Sequence, residues 1–166
     1  GVTREITLEG EAMFEVTHDA ARPFIIKAHD HAIYVLGTTF NISAYPDEEL
    51  SVTLIEGKLK VTAPSGEYYL LPGEHYSSAQ SKVSKVDTEF YTSWTDGAME
   101  FDAMPFPLLT ARLSRCYNVD IQIASKELET MKFTGIIFRN KPLDIIHRVS
   151  DVKFERKGET IFVKKQ

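Results

Sequence analysis

"MPFPLLTARLSRCYN", residues 104–118, is where the hydrophobic period of this chain changes. Phe106, Leu109, Leu113 and Cys116 recur every three or four residues, which places them on one face of an α-helix. Pro105 and Pro107 open that helix, since the missing N–H of proline costs little in a first helical turn. Upstream, the apolar residues alternate or run together over a few positions, the signature of strands. A helical period appearing after a long β region predicts an α+β chain in two parts. Residues 1–93 form an all-β domain and residues 94–166 a small β-α-β repeat domain.

The upstream part is a series of short runs broken by turn signals. In "EITLEGEAMFEV" (5–16) Ile6 and Leu8 alternate with Thr7, then Glu9-Gly10 turns the chain before Met13, Phe14 and Val16. "RPFIIKAHDHAIYVLG", "FNISAY" and "LSVTLIEGKLKVTAPSGEYYLLPGEHYSSA" follow, punctuated by Gly57, Ser65-Gly66 and Pro72-Gly73. The spacing suits a sandwich, a barrel or a short β-solenoid and leaves the three open. Val83 to Thr92 is more polar, and Asp96-Gly97 after Trp94 marks the junction.

Downstream, Ala98 to Phe101 reads as a short strand before the helix, Val119 to Ile123 as an alternating strand after it, and Lys132 to Phe138 as another. "PLDIIHRVSD" (142–151) is a second helix with Leu143, Ile146 and Val149 on one face and Pro142 in its first turn. Val152 to Arg156 and Thr160 to Lys164 make a hairpin about Lys157-Gly158-Glu159. A unit this small must pack its two helices on its short sheets to own a core.

Composition removes several function classes. The chain has 166 residues, 43% of them apolar, enough for real cores, and a formal charge of -5. Its Lys and Arg are scattered, so no basic stripe offers itself to nucleic acid. No apolar run reaches the roughly 20 residues needed to span a bilayer, and no signal-peptide pattern opens the chain. It starts at Gly1 and is in strand-like sequence by Ile6, which reads as a fragment of a longer protein. Cys116 is the one cysteine, so no internal disulfide forms.

The candidates for chemistry are weak. His29 and His31, two apart on an expected strand, could be joined by His75 in a metal site of the kind cupin-type enzymes use. Those enzymes need a carboxylate shortly after the His-x-His pair, where this chain has Val35 and Leu36. Gly37-Thr38-Thr39 has neither a lysine nor a helix after it to hold a phosphate. Gly37 is expected to mark a bulge or a close backbone approach, with Thr38 and Thr39 bonding the groups the kink exposes. Cys116 on the apolar helix face is expected in the core. Asp47-Glu48-Glu49 sit in a surface loop. No nucleophile, base and orienting group come together, so the chain reads as a non-enzyme with no catalytic, cofactor-binding or metal-binding residues and no cofactor.

"LEGEAMFEV", "RPFIIKA", "VLGTTFNISAY", "VTLIEGKLKV" and "LLPGEHY", in this order and spacing over residues 4 to 80, closely resemble the FecR family of anti-sigma regulators. From Trp94 onward, "FDAMPFPLLTARLSRCYNVDIQIA", "KFTGIIF" and "KPLDIIHRV" resemble the C-terminal domain that follows FecR domains, itself similar to the short N-terminal signalling domain of secretins and TonB-dependent transducers. The family's cytoplasmic sigma-binding segment and its single transmembrane helix are not in this sequence. The FecR domain usually begins with strands before "LEGEA", so the first domain is expected to lack its first strands and to expose an edge.

The resemblance implies the periplasmic, signal-receiving region of an inner-membrane anti-sigma factor. Its partners would be the signalling domain of an outer-membrane TonB-dependent transducer and, through the N-terminal cytoplasmic segment, an ECF-type sigma factor. A receiver of this kind is expected to be a monomer or weak dimer. The sheet edges of the second domain would supply the contact by β-augmentation. Phe133, Thr134, Ile136 and Phe138 are the candidate partner-binding residues, because both faces of that strand are more apolar than one buried face requires. The competing expectation, that helices and a neighbouring strand cover both faces, follows from apolar strand residues being mostly core. The rival functions are a cupin-like metal enzyme and a structural adaptor of an envelope or secretion complex.

Overall fold

The computed structural model describes residues 3–138 and 152–165, and the chain divides into two compact units, Gly1–Thr92 and Ser93–Gln166. The first contains ten strands: β1 (Arg4–Thr7), β2 (Gly10–Val16), β3 (Phe24–Ala28), β4 (His31–Val35), β5 (Thr38–Ala44), β6 (Ser51–Glu56), β7 (Leu59–Ala63), β8 (Gly66–Leu70), β9 (Glu74–Ser77) and β10 (Lys82–Lys85). They form two five-stranded sheets, ordered β1-β3-β4-β7-β8 and β10-β9-β6-β5-β2.

The hairpins β3–β4, β5–β6, β7–β8 and β9–β10 go to the two sheets in turn, so both sheets grow together as the chain proceeds. The result is a sandwich wound in solenoid-like steps. Ile26, Ile33, Val35, Leu59, Val61 and Leu70 point inward from one sheet and meet Phe40, Ile42, Val52, Leu54 and Tyr76 from the other in one buried cluster. This is the period-2 pattern at work: a strand commits every second side chain to the same face. The polar stretch after Val83 holds the end of β10 and a five-residue helix, α1 (Thr88–Thr92), both without an apolar period to announce them.

Gly37, between β4 and β5, is a close backbone approach. A Cβ there would lie 2.5 Å from the Cα and 2.7 Å from the Cβ of His18, whose segment crosses over it. The crossing is tied by the Asp19 N–H, which donates to the Leu36 carbonyl at 2.7 Å. Gly57 meets the same point from the other side, with a φ of +92° and its would-be Cβ 2.6 Å from the Gly37 carbonyl oxygen. Two glycines thus let three chain segments touch, one by its space alone and one by its space and its left-handed φ. A register shift between Thr39 and Phe40 follows the bend. Thr38 does not bond the kink as expected: its hydroxyl is buried and has no hydrogen-bond partner among the described residues, while the crossing segment's backbone satisfies Leu36.

The second unit contains β11 (Ala98–Pro105), α2 (Phe106–Tyr117), β12 (Asp120–Ile123), β13 (Lys132–Phe138), β14 (Val152–Lys157) and β15 (Thr160–Lys165). Helix α2 follows Pro105 and carries Pro107 in its first turn; Asn118 ends it in the left-handed conformation (φ 50°, ψ 49°). Phe106, Leu109 and Leu113 are buried with Phe101, Leu128, Ile137, Val152 and Val163. Full burial of each leucine contributes about 1.5–3 kcal/mol. Cys116 is only half-buried, contrary to expectation, and at the end of the helix Tyr117 packs against the core.

The β-α-β order is present over β11, α2 and β12, but the flanking strands enter different sheets. β11 pairs antiparallel with β13, whereas β12 pairs parallel with β15, which also holds β14 in an antiparallel hairpin. β11 continues past Phe101 to Pro105 through a bulge, longer than its apolar residues suggested. The expected second helix over 142–151 lies outside the described residues.

Candidate partner-binding site

β13 alternates cleanly, and its two faces have different fates. Phe133 and Ile137 turn to the core, where the Phe133 ring packs on Phe106 at 4.8 Å between centroids and Ile137 is buried. Thr134, Ile136 and Phe138 turn away, with Ile136 44% and Phe138 49% exposed. The expectation that both faces are covered therefore fails. One face is core and the other is open, because α2 packs from one side.

The register sets what surrounds the open face. Ala98 lies opposite Phe138 and Glu100 opposite Ile136, so these two β11 residues stand beside the exposed pair. Further along, Asp102 and Ala103 form the bulge between Phe101 and Met104. Ala103 has a φ of 46°, a conformation that costs an alanine free energy and needs support. Thr134 supplies it: its hydroxyl accepts from the Ala103 N–H at 2.9 Å and donates to Asp102 Oδ1 at 3.1 Å.

The four candidate residues thus separate into three roles. Ile136 and Phe138 form an exposed apolar pair, Thr134 secures the bulge beside them, and Phe133 faces the core. Glu100 and Asp102, which β11 sets beside these residues, were not among the candidates. Their signal was legible in "AMEFDA", where Met99 and Phe101 alternate with Glu100 and Asp102, but the identity of the paired strand was not.

The histidines do not form one site. His29 lies in the β3–β4 turn with φ 51° and not on a strand, and its Nε2 meets the Tyr45 carbonyl oxygen at 3.1 Å. His31 opens β4, buried, with Nε2 3.0 Å from the Tyr76 hydroxyl. His75 projects from β9 with Nδ1 2.8 Å from Thr53 Oγ1, and its ring stacks on Tyr91 of α1 at 4.2 Å. The two-residue turn breaks the shared face that a continuous strand would have given His29 and His31. Among the described residues, no group of three or more His, Cys, Asp or Glu could hold a metal ion. Burial lowers the His75 pKa to about 4. Asp47 and Glu49 are exposed in the β5–β6 turn.

A family model described as FecR protein matches residues 2–60, and one described as FecR, C-terminal matches residues 98–163. The chain belongs to the FecR family. Two crystal structures of a candidate anti-sigma factor from Parabacteroides distasonis, at 1.65 Å and 2.50 Å resolution, are similar in sequence and fold. Each is 26% identical with a TM-score of 0.86, over 99% and 100% of this chain and 81% and 82% of theirs. No curated protein matches the chain. FecR proteins are signalling anti-sigma regulators and not enzymes, so a surface that recognises protein is the chemistry to look for. None of the described helices is long and apolar enough to cross a membrane.

Proposed function

We propose that this chain is the periplasmic signal-receiving region of a membrane-anchored FecR anti-sigma regulator. It takes up the signalling domain of a TonB-dependent outer-membrane transducer along β13 and relays substrate availability to an ECF-type sigma factor. The observation that supports this reading is the outward pair Ile136 and Phe138. With Trp94, they are the large apolar side chains that the described part of the second unit leaves exposed. An exposed apolar pair on a strand whose one described partner is β11 suits strand addition, where main-chain hydrogen bonds give affinity and alternate side chains give selectivity. Thr134, by holding the bulge, keeps that strand in register, and Phe133 anchors it from beneath.

The test is a calorimetric titration of the isolated transducer signalling domain into wild type and the Ile136→Asp variant. Binding should fall at least about tenfold with little change in melting temperature, since Ile136 is half exposed. Unchanged affinity in Ile136→Asp, or a variant that no longer folds, would remove β13 as the docking strand.

A further inference from the structure

The outer face of the β1-β3-β4-β7-β8 sheet carries a built surface that the signalling role does not use. Register places Glu5, Ile25, Tyr34, Lys60 and Tyr69 in one row, each on a different strand and each beside the next. Their inward neighbours Ile26, Ile33, Val61 and Leu70 belong to the core, so the row faces solvent. Tyr69 is 68% exposed, the most of any large apolar or aromatic side chain among the described residues.

The row is cross-linked. Lys60 Nζ lies 4.8 Å from the centre of the Tyr34 ring and donates to Glu67 Oε1 at 2.8 Å; the Tyr69 hydroxyl donates to Glu67 Oε2 at 3.3 Å. Lys60 is held protonated and Glu67 ionised, each chiefly by the hydrogen bond to the other. At the far end Lys27 and Glu5 pair at 2.6 Å. Each lysine on this face is neutralised by a glutamate on the same face, in a chain of net charge -5. The surface therefore draws neither phosphate nor an anionic bilayer, and offers no surplus charge to a charged protein patch.

What it offers is two tyrosine rings two strand spacings apart, roughly 10 Å, with a carboxylate and an ammonium fixed between them and unused lone pairs and N–H groups. Beside the row, Ala32 and Thr62 keep the neighbouring positions low. We propose that this face binds a neutral polysaccharide chain, with pyranose C–H faces on Tyr34 and Tyr69 and ring hydroxyls chelated by Glu67 and Lys60. Aromatic rings supply flat apolar area at low entropy cost, and the fixed acid–ammonium pair matches vicinal hydroxyls that both donate and accept.

The test is calorimetric titration of the protein with chitohexaose, cellohexaose and xylohexaose, with sedimentation on purified peptidoglycan sacculi as a separate arm. Millimolar or tighter binding of at least one hexaose is expected. Tyr69→Ala and Tyr34→Ala should each weaken it about tenfold, while Ile136→Asp leaves it unchanged. Binding of chitohexaose together with sacculi would point to cell-wall glycan, and binding of cellohexaose or xylohexaose alone to an imported glycan. No binding of any hexaose, or binding indifferent to both tyrosine substitutions, overturns the proposal. So does loss of binding only where circular dichroism shows the sandwich has unfolded.

Discussion

The two units solve the problem of burying strands differently. In the first, inward side chains from two five-stranded sheets close one continuous cluster, and three backbone segments lock together at Gly37 and Gly57. In the second, α2 covers the inner faces of a two-stranded and a three-stranded sheet, and β13 keeps Ile136 and Phe138 outside. The sandwich closes its core between two sheets, and outside it leaves a charge-paired sheet face together with Ile6, Leu36, Tyr69 and Leu71. In the described part of the smaller unit Trp94 is exposed, and Ile136 and Phe138 are exposed together on one face of one strand. A strand that leaves such a pair in water either tolerates the cost or recovers it on binding.

The sharpest way to break this contrast is at the glycine crossing. Gly37→Val should destabilise the first unit by about 3 kcal/mol or more, because the nearest contacted atom is the backbone Cα of His18, which cannot swing away. Chemical denaturation followed by near-ultraviolet circular dichroism checks it; a variant as stable as wild type would mean the crossing yields easily and the sandwich is less tightly locked than its geometry implies.

A second, smaller effect concerns His75. Its ring is buried and titrates near 4 when folded, against 6.5 for the free side chain. Between those values the unfolded chain holds the extra proton, so stability is full above about pH 6.5 and declines as the pH falls toward 4. The loss attributable to this ring is about 3 kcal/mol. Urea titrations at several pH values should show a steeper acid decline in wild type than in His75→Gln. Parallel curves would show that the ring protonates without disturbing its stack on Tyr91.

The smallest expected change is at the bulge. Thr134→Val keeps the shape of the side chain and removes both hydrogen bonds, which should cost about 1 kcal/mol. The Ala103 amide should also lose protection in hydrogen exchange. Unaltered protection would mean that the bulge is held by strand pairing alone, and that Thr134 faces the partner without a structural duty.

Much of this was legible along the chain. The α+β class, the helix from Phe106, the alternation of β13 and the hairpin closed at Gly158 all follow from local periodicity and turn residues. Gly37 was recognisable as a backbone position, because a glycine between two strand patterns has few other reasons to be there. The failures share a cause. β10 is short and polar, α1 is too short to show a period, the bulge at Asp102 and Ala103 leaves no apolar mark, and His29 looks like a strand residue until the turn is seen. Thr38 and Cys116 were misplaced because burial depends on which neighbours arrive, and those neighbours are distant in sequence.

The sequence by itself determined most of the strands, the helix from Phe106 and which side chains along them share a face, since these depend on spacing along one chain. Only the tertiary structure decided that β11 pairs with β13 while β12 pairs with β15. Through that register, it set Glu100 beside Ile136 and drew Tyr34, Lys60 and Tyr69 into one row. The physical reason is that backbone hydrogen bonds between strands are nearly indifferent to residue type. Partner choice is set by how the whole set of apolar faces can be buried at once, and that is not a property of any one stretch.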